Sequence, residues 1–244
     1  MPSNPYLEEF LKLQRKFIDR HNLYRVDQWK WHATFSTETD IFSKRHELVT
    51  KYSWAVPWHG ALEVIAAHAP ILEIGAGTGY WVYLLRQMGV DVLAYDAEPP
   101  FEKENVNTWH HGGQIWTAVF KAGSFAAGCD PTRALFLCWP PYDNSMAMDC
   151  LNRYQGNVII YIGENGGCTG TEEFQKALDE RFDMVARADI PQYEGIHDFL
   201  MLYYRKGCGR DVTKSVRPFT SKDLYNLNHS YDQCPLKVVI CNRS

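Results

Sequence analysis

The stretch Ile71-Leu72-Glu73-Ile74-Gly75-Ala76-Gly77-Thr78-Gly79-Tyr80-Trp81 decides the fold. Its first four residues, three of them branched and apolar, read as a short buried strand. Glycines at alternate positions then interrupt the pattern, and apolar residues at helical spacing resume it from Tyr80 to Met88. A strand, a glycine turn and a helix open a parallel α/β unit. The glycines let the chain turn sharply and let a ligand approach the backbone. The helix start beyond them presents unpaired N–H groups. A dinucleotide fingerprint requires Gly-x-Gly-x-x-Gly, hence glycine at position 80. Tyr80 stands there, which disfavours a nicotinamide-dependent oxidoreductase.

Outward from this stretch the pattern alternates. Upstream, residues 60–68 read as a helix leading through Pro70 into the strand at 71–74. Downstream, strands are expected at 90–95, 115–120, 133–138 and 157–162, with helices near 145–154 and 171–181. Strands alternating with helices imply a mostly parallel sheet covered on both faces. Two late strands, near 183–188 and 198–204, are joined by a short segment, which implies an antiparallel hairpin at one edge. Residues 5–21 space Tyr6, Phe10, Leu13, Phe17 and Ile18 as an amphipathic helix. Residues 22–58 hold Trp29, Trp31, Trp54 and Trp58, half of the eight tryptophans. These either pack the prologue on the main body or line a cleft. Residues 208–244 read as loops with one late strand near 236–241.

Composition narrows the classes. The chain has 244 residues, 45% apolar and 22% charged, which is ordinary for a globular protein and excludes a disordered or collagen-like chain. The net charge of −4 argues against a surface coated in positive charge. That charge is unevenly spread: residues 61–207 carry 10 basic and 19 acidic groups, whereas both flanks are mildly basic. The start lacks the apolar run of a signal peptide. The longest apolar runs fall far short of the ~20 residues of a membrane span. Seven cysteines at 129, 138, 150, 168, 208, 234 and 241 have no Cys-x-x-Cys spacing. An intracellular location, cytoplasmic or nuclear, is the expectation, and no metal site is expected.

The motifs Glu73-x-Gly75-x-Gly77-x-Gly79 and, at the end of the second strand, Ala94-Tyr95-Asp96 carry a family resemblance. The chain resembles a class I S-adenosylmethionine-dependent methyltransferase over roughly residues 50–205. The resemblance implies an α/β fold, a Rossmann-like three-layer α/β/α sandwich with a mostly parallel seven-stranded sheet and a late antiparallel hairpin. It implies S-adenosyl-L-methionine as cofactor, held by Gly75, Ala76, Gly77, Gly79, Tyr80 and Trp81 of the loop. In the family the acid at Asp96 takes the ribose hydroxyls, and a carboxylate can accept from two at once; the alternative is a turn residue. The resemblance also implies that Glu73 organises the loop and the cofactor's amino end and that Ser124 sits beside the adenine. Tyr52, Trp54 and Pro57 match a proline-containing segment that covers the cofactor's methionine part, with plain packing as the alternative.

The fourth strand runs into Trp139-Pro140-Pro141-Tyr142. Such a loop, beyond the carboxyl end of a strand, is where ligands bind in these sheets. It resembles motif IV of amino-methyltransferases, in which a polar residue precedes Pro-Pro and an aromatic. By that resemblance Pro140 offers its carbonyl to a target amine and Tyr142 stacks on a flat substrate. Trp139 replaces the polar residue, and an indole donates but accepts nothing. Trp139 then stacks on substrate or faces the sulfonium, or the loop's aromatics are core. Asp143, Glu164 and His197 are the substrate-binding candidates. Glu164 lies in the glycine-rich loop after the fifth strand, and His197 in a segment with Glu194 and Asp198 that shows no metal-ligand spacing.

The expected organisation is an N-terminal helical extension at 1–50 acting as cap or lid, a methyltransferase core at 51–207, and a tail at 208–244 packed on it. The expected activity is N-methylation of a planar amine-bearing acceptor, a base of RNA or DNA. A small-molecule N- or O-methyltransferase is the alternative, and a catalytically inactive cofactor-binding scaffold or regulator a second one.

Overall fold

The computed structural model describes residues 2–21, 39–100, 110, 114–193, 195–208 and 238–239. The expected helix at 5–21 is α1 (Pro5–His21). Within the stretch left unread, α2 (Thr39–Lys51) appears. Trp29 and Trp31 lie outside the described residues. Then follow α3 (His59–Ala66), β1 (Ile71–Ile74), α4 (Tyr80–Gln87), β2 (Val92–Asp96), β3 (Phe120–Lys121), β4 (Ala134–Cys138), α5 (Met146–Arg153), β5 (Val158–Gly163), α6 (Glu172–Arg181), β6 (Phe182–Asp189), β7 (Phe199–Arg205) and β8 (Val238–Val239).

The strands form one sheet in the order β3-β2-β1-β4-β5-β7-β6-β8. Strands β3, β2, β1, β4 and β5 run parallel, and β7 is antiparallel to both β5 and β6. The order reverses between β1 and β4, the switch point at which open α/β sheets bind ligands. The fold is thus the expected mostly parallel sheet with a late antiparallel hairpin, layered with helices on both sides.

One expectation needs correction, that for the third strand. The hairpin lies at one edge of the sheet, as expected, beyond β5. β7 enters the sheet between β5 and β6, where Leu200, Met201, Leu202, Tyr203 and Tyr204 are all buried. A strand apolar on both faces belongs inside a sheet, and β6, half-buried along most of its length, takes the outer place. The short β8 pairs with β6 beyond it. The third strand is shorter than expected and lies at 120–121 instead of 115–120. Trp116 explains the loss. Its backbone N–H bonds the Thr78 carbonyl and its indole N–H bonds the Lys51 carbonyl at 2.8 Å. The segment is tied to the glycine turn and the end of α2 rather than to β2.

Period-2 alternation divides the core. On one face Ile71, Ala94, Phe136, Ile160, Ile162 and Leu202 pack with α3, α4 and the prologue. On the other, Leu72, Ile74, Leu135, Leu137, Ile159 and Tyr161 pack with α5 and α6. The prologue joins the first core through stacked aromatics: Tyr6 on Tyr52 at 4.8 Å and Tyr52 on Trp116 at 5.1 Å. Such rings bury ~150–250 Å² each. Asn4 closes the arrangement, donating to the Pro57 carbonyl and accepting from the Tyr80 hydroxyl.

Candidate active site

The glycine turn is built as the sequence implies. Gly75, Gly77 and Gly79 all have positive φ, at 78°, 52° and 76°. Gly77 shows why only glycine fits: a Cβ there would lie 2.7 Å from His110 Nε2. Gly79 is the N-cap of α4 in the left-handed region, and no side chain caps the helix start. The turn is pinned to β2, because Gly75 and Ala76 donate to the Tyr95 carbonyl. Gly77 N–H donates to Asp96 Oδ2 at 2.8 Å, and Glu98 N–H to Asp96 Oδ1 at 2.9 Å. Asp96 is therefore both the turn-builder and the acid beside the glycines. Each of its oxygens keeps one lone-pair direction for another donor.

The strand ends set four acids at the carboxyl rim of the sheet. Asp96 ends β2, Glu73 is the third residue of β1, Glu164 follows β5, and Asp198 precedes β7. All four are buried. Glu73 is walled in on β1, and its Oε2 has no hydrogen-bond partner among the described residues. Burial, reinforced by the charge of Asp96, pushes the Glu73 carboxyl well above the usual range. Glu164 goes the other way. Burial raises it, but N–H groups of His197 and Cys168 donate to its two oxygens and hold it below the ordinary value.

Trp139 has φ 52°, the one non-glycine residue in the left-handed region among those described. Such backbone costs about 1–3 kcal/mol and persists only where the surroundings impose it. Its N–H donates to the Ile162 carbonyl, and its ring stacks on Trp54 with centroids 5.3 Å apart. Its indole N–H donates to Asp198 Oδ2 at 2.8 Å. Trp54 in turn meets the Arg45 guanidinium at 5.2 Å, which also faces Tyr193 at 5.5 Å. Asp198 is thus drawn from β7 toward the end of β4, which neighbours β1. Burial pushes its carboxyl up to about 7, against the opposing pull of the Trp139 hydrogen bond.

The remaining candidates separate. The Pro140 carbonyl accepts from Gly170 N–H at 2.8 Å, and Pro141 bridges Thr169, so this loop is tied to the loop after β5. Tyr142 stands 60% exposed at the rim, and Asp143 beside it is exposed. Tyr52 is buried, with its hydroxyl on Glu9 and its carbonyl accepting the Thr78 hydroxyl. Pro57 is buried, and Ser124 is a half-buried residue opening a 3₁₀ turn. Trp81 packs edge-on against Phe136 in the core. His197 contributes its backbone to Glu164 while its ring points outward, 76% exposed. Glu164 and His197 line a cleft of about 310 Å³ with Arg187, Phe199 and Met201. Glu194 lies outside the described residues. Arg45 is the member that sequence reading misses, and Asp198 is weighed there only as a metal ligand without the spacing for it. An acid in register with the buried Leu200 and Leu202 is the signal that would have found Asp198.

No protein-family model matches the chain, and no curated protein matches it in sequence. Solved structures similar to it in fold include the following three. A candidate tRNA (m1A22) methyltransferase from Streptococcus pneumoniae is 18% identical, over 71% of this chain and 83% of that one, with TM-score 0.40. Magnesium protoporphyrin IX methyltransferase from Synechocystis, with bound S-adenosylmethionine, is 12% identical over 78% and 96%, with TM-score 0.41. 1,6-Didemethyltoxoflavin-N1-methyltransferase from Burkholderia thailandensis, with S-adenosylhomocysteine and its acceptor bound, is 15% identical over 84% and 92%, with TM-score 0.41.

Proposed function

We propose that this chain is an S-adenosylmethionine-dependent methyltransferase. The observation that carries the reading is the glycine turn fastened to Asp96 beside the Glu73 carboxyl, whose Oε2 has no partner among the described residues, at the switch point of the sheet. The residues fit the cofactor. A buried carboxylate oxygen without a donor suits a ligand bearing an ammonium and a sulfonium. The lone pairs left on Asp96 suit ribose hydroxyls. When bound, the cofactor supplies a methyl group activated by positive sulfur. The chain's own part is to hold the acceptor in line and to exclude water, and alignment of this kind supplies up to ~7–11 kcal/mol.

The acceptor is a planar molecule with an N–H or O–H, and a small molecule is the reading the loop favours. The two acceptors that would grip an exocyclic amine are not both on offer. Trp139 gives its indole N–H to Asp198 and accepts nothing, which leaves only the Pro140 carbonyl, with one lone pair still open beside its bond from Gly170. The aromatic prologue lies over the same face. The second reading, a nucleic-acid base, is supported by Tyr142 exposed at the rim, free to stack on a flipped base. Methyl-labelled S-adenosylmethionine offered in parallel to RNA, DNA, protein and small-molecule extracts tests both. Label in the small-molecule fraction is expected. Label in RNA or DNA, with binding that weakens steeply as salt rises, selects the second reading. Label in no fraction rejects methyl transfer in favour of the scaffold reading.

A further inference from the structure

The loop after β4 poses a question that the cofactor site leaves open. Its first residue carries an indole where a hydrogen-bond acceptor would be useful, and its backbone is held in an unfavourable conformation. The strain places the indole N–H on Asp198 Oδ2 at 2.8 Å. The other oxygen, Oδ1, is buried and has no hydrogen-bond partner among the described residues. Asp198 is 2% exposed. A carboxylate anchored on one side and unpaired on the other is poised to accept a donor from a ligand, since leaving that lone pair empty is costly. Its chain position places it at the carboxyl rim of the sheet, because it immediately precedes Phe199, which pairs with Gly163 at the end of β5.

Building on the methyltransferase reading above, we infer that Asp198, positioned by Trp139, is the residue that accepts the N–H or O–H of the methyl acceptor and takes up its proton. As the acceptor's heteroatom bonds to the methyl carbon, that carbon's bond to sulfur breaks and its electron pair stays on sulfur. The acceptor's surplus proton moves to Asp198 Oδ1 and passes to solvent. Asp198 supplies the acceptor function that Trp139 lacks, and Trp139 is the positioning residue. The groups facing Asp198 are Arg45 from α2, Tyr6 from α1, Cys138 from β4 and Glu164 after β5. Burial dominates over all of them and brings the carboxyl into the range where a general base works near neutral pH.

The test has a ligand-free arm and a transfer arm. In the protein without ligand, the Trp139 indole ¹H–¹⁵N resonance, assigned through Trp139→Phe, is followed from pH 4.5 to 9. A titration centred near pH 7 that disappears in Asp198→Asn is expected. In the transfer arm, Asp198→Asn binds S-adenosylhomocysteine as the wild type does by calorimetry. It passes label to the extract fraction at a rate lowered ~10²–10⁴-fold. Trp139→Phe moves the midpoint of the pH–rate profile upward, because it removes the donor that stabilises the charged form. Wild-type protein that fails to bind S-adenosylhomocysteine overturns the methyltransferase reading and the inference with it. Binding that persists alongside a flat indole titration, or undiminished transfer in Asp198→Asn, overturns the inference alone.

Discussion

Asp198→Asn should make the protein more stable at pH 8 while disabling it. The sign follows from linkage. The Asp198 carboxyl goes from an ordinary value of 3.8 to about 7 in the folded chain, chiefly through burial. A group raised on folding stabilises the fold fully at pH below its unfolded value, and that contribution is lost as pH rises through the folded one. At about 1.36 kcal/mol per pH unit, the wild type loses about 4 kcal/mol between pH 4 and pH 8 from this residue. Asparagine has no such loss, and its side-chain oxygen can still accept from the Trp139 indole. Its amide N–H₂, buried where Oδ1 was, costs about 1–3 kcal/mol without a partner. The net gain at pH 8 is about 2 kcal/mol, or ~4–8 °C in Tm for a chain of this size. Thermal unfolding of both proteins at pH 4, 6 and 8 reads it. The advantage of the variant should grow with pH and close or reverse at pH 4. A variant less stable at pH 8, or a difference independent of pH, would refute the placement of a strained carboxylate at this position.

Three other outcomes follow from the same geometry. Gly77→Ala forces a side chain into the left-handed region and against the His110 ring, so it should lower stability by about 1–3 kcal/mol and abolish S-adenosylhomocysteine binding by calorimetry. Asp96→Ala strips the acceptor from Gly77 and Glu98 N–H and should weaken that binding at least ~10-fold while the chain remains folded by circular dichroism. Tyr142→Ala removes an exposed ring and should leave Tm and S-adenosylhomocysteine binding unchanged while lowering transfer to the acceptor; unaltered transfer would remove the ring from acceptor recognition.

The elements that were legible in the sequence are those whose signals are local. The strand at 71–74 and the glycines at 75, 77 and 79 announce themselves by composition, and the structure gives all three glycines the positive φ that only glycine adopts freely. Residues 5–21 and 171–181 show their helical spacing directly. What was not legible depends on contacts between distant segments. The 115–120 run has strand-like composition, yet Trp116 is claimed by Thr78 and Lys51, residues that no local window contains. The edge hairpin was legible, but that β7 is its inner strand depends on burial on both faces, which only the assembled sheet reveals. The sequence offers Asp198 only as one of three residues without metal-ligand spacing, and its place in the site is hidden for the same reason. Its partner Trp139 lies 59 residues away, and the pairing turns an apparent defect of the loop into the means of holding a carboxylate.

The central claim is that the turn at 75–79, with Asp96 and Glu73, is built for S-adenosylmethionine. Titration calorimetry of the full chain with S-adenosylmethionine, with S-adenosylhomocysteine and with NAD tests it most directly. Saturable binding of both sulfur compounds, lost in Asp96→Ala, with no heat from NAD, is the result predicted. Binding of NAD, or no binding of either sulfur compound, would contradict it.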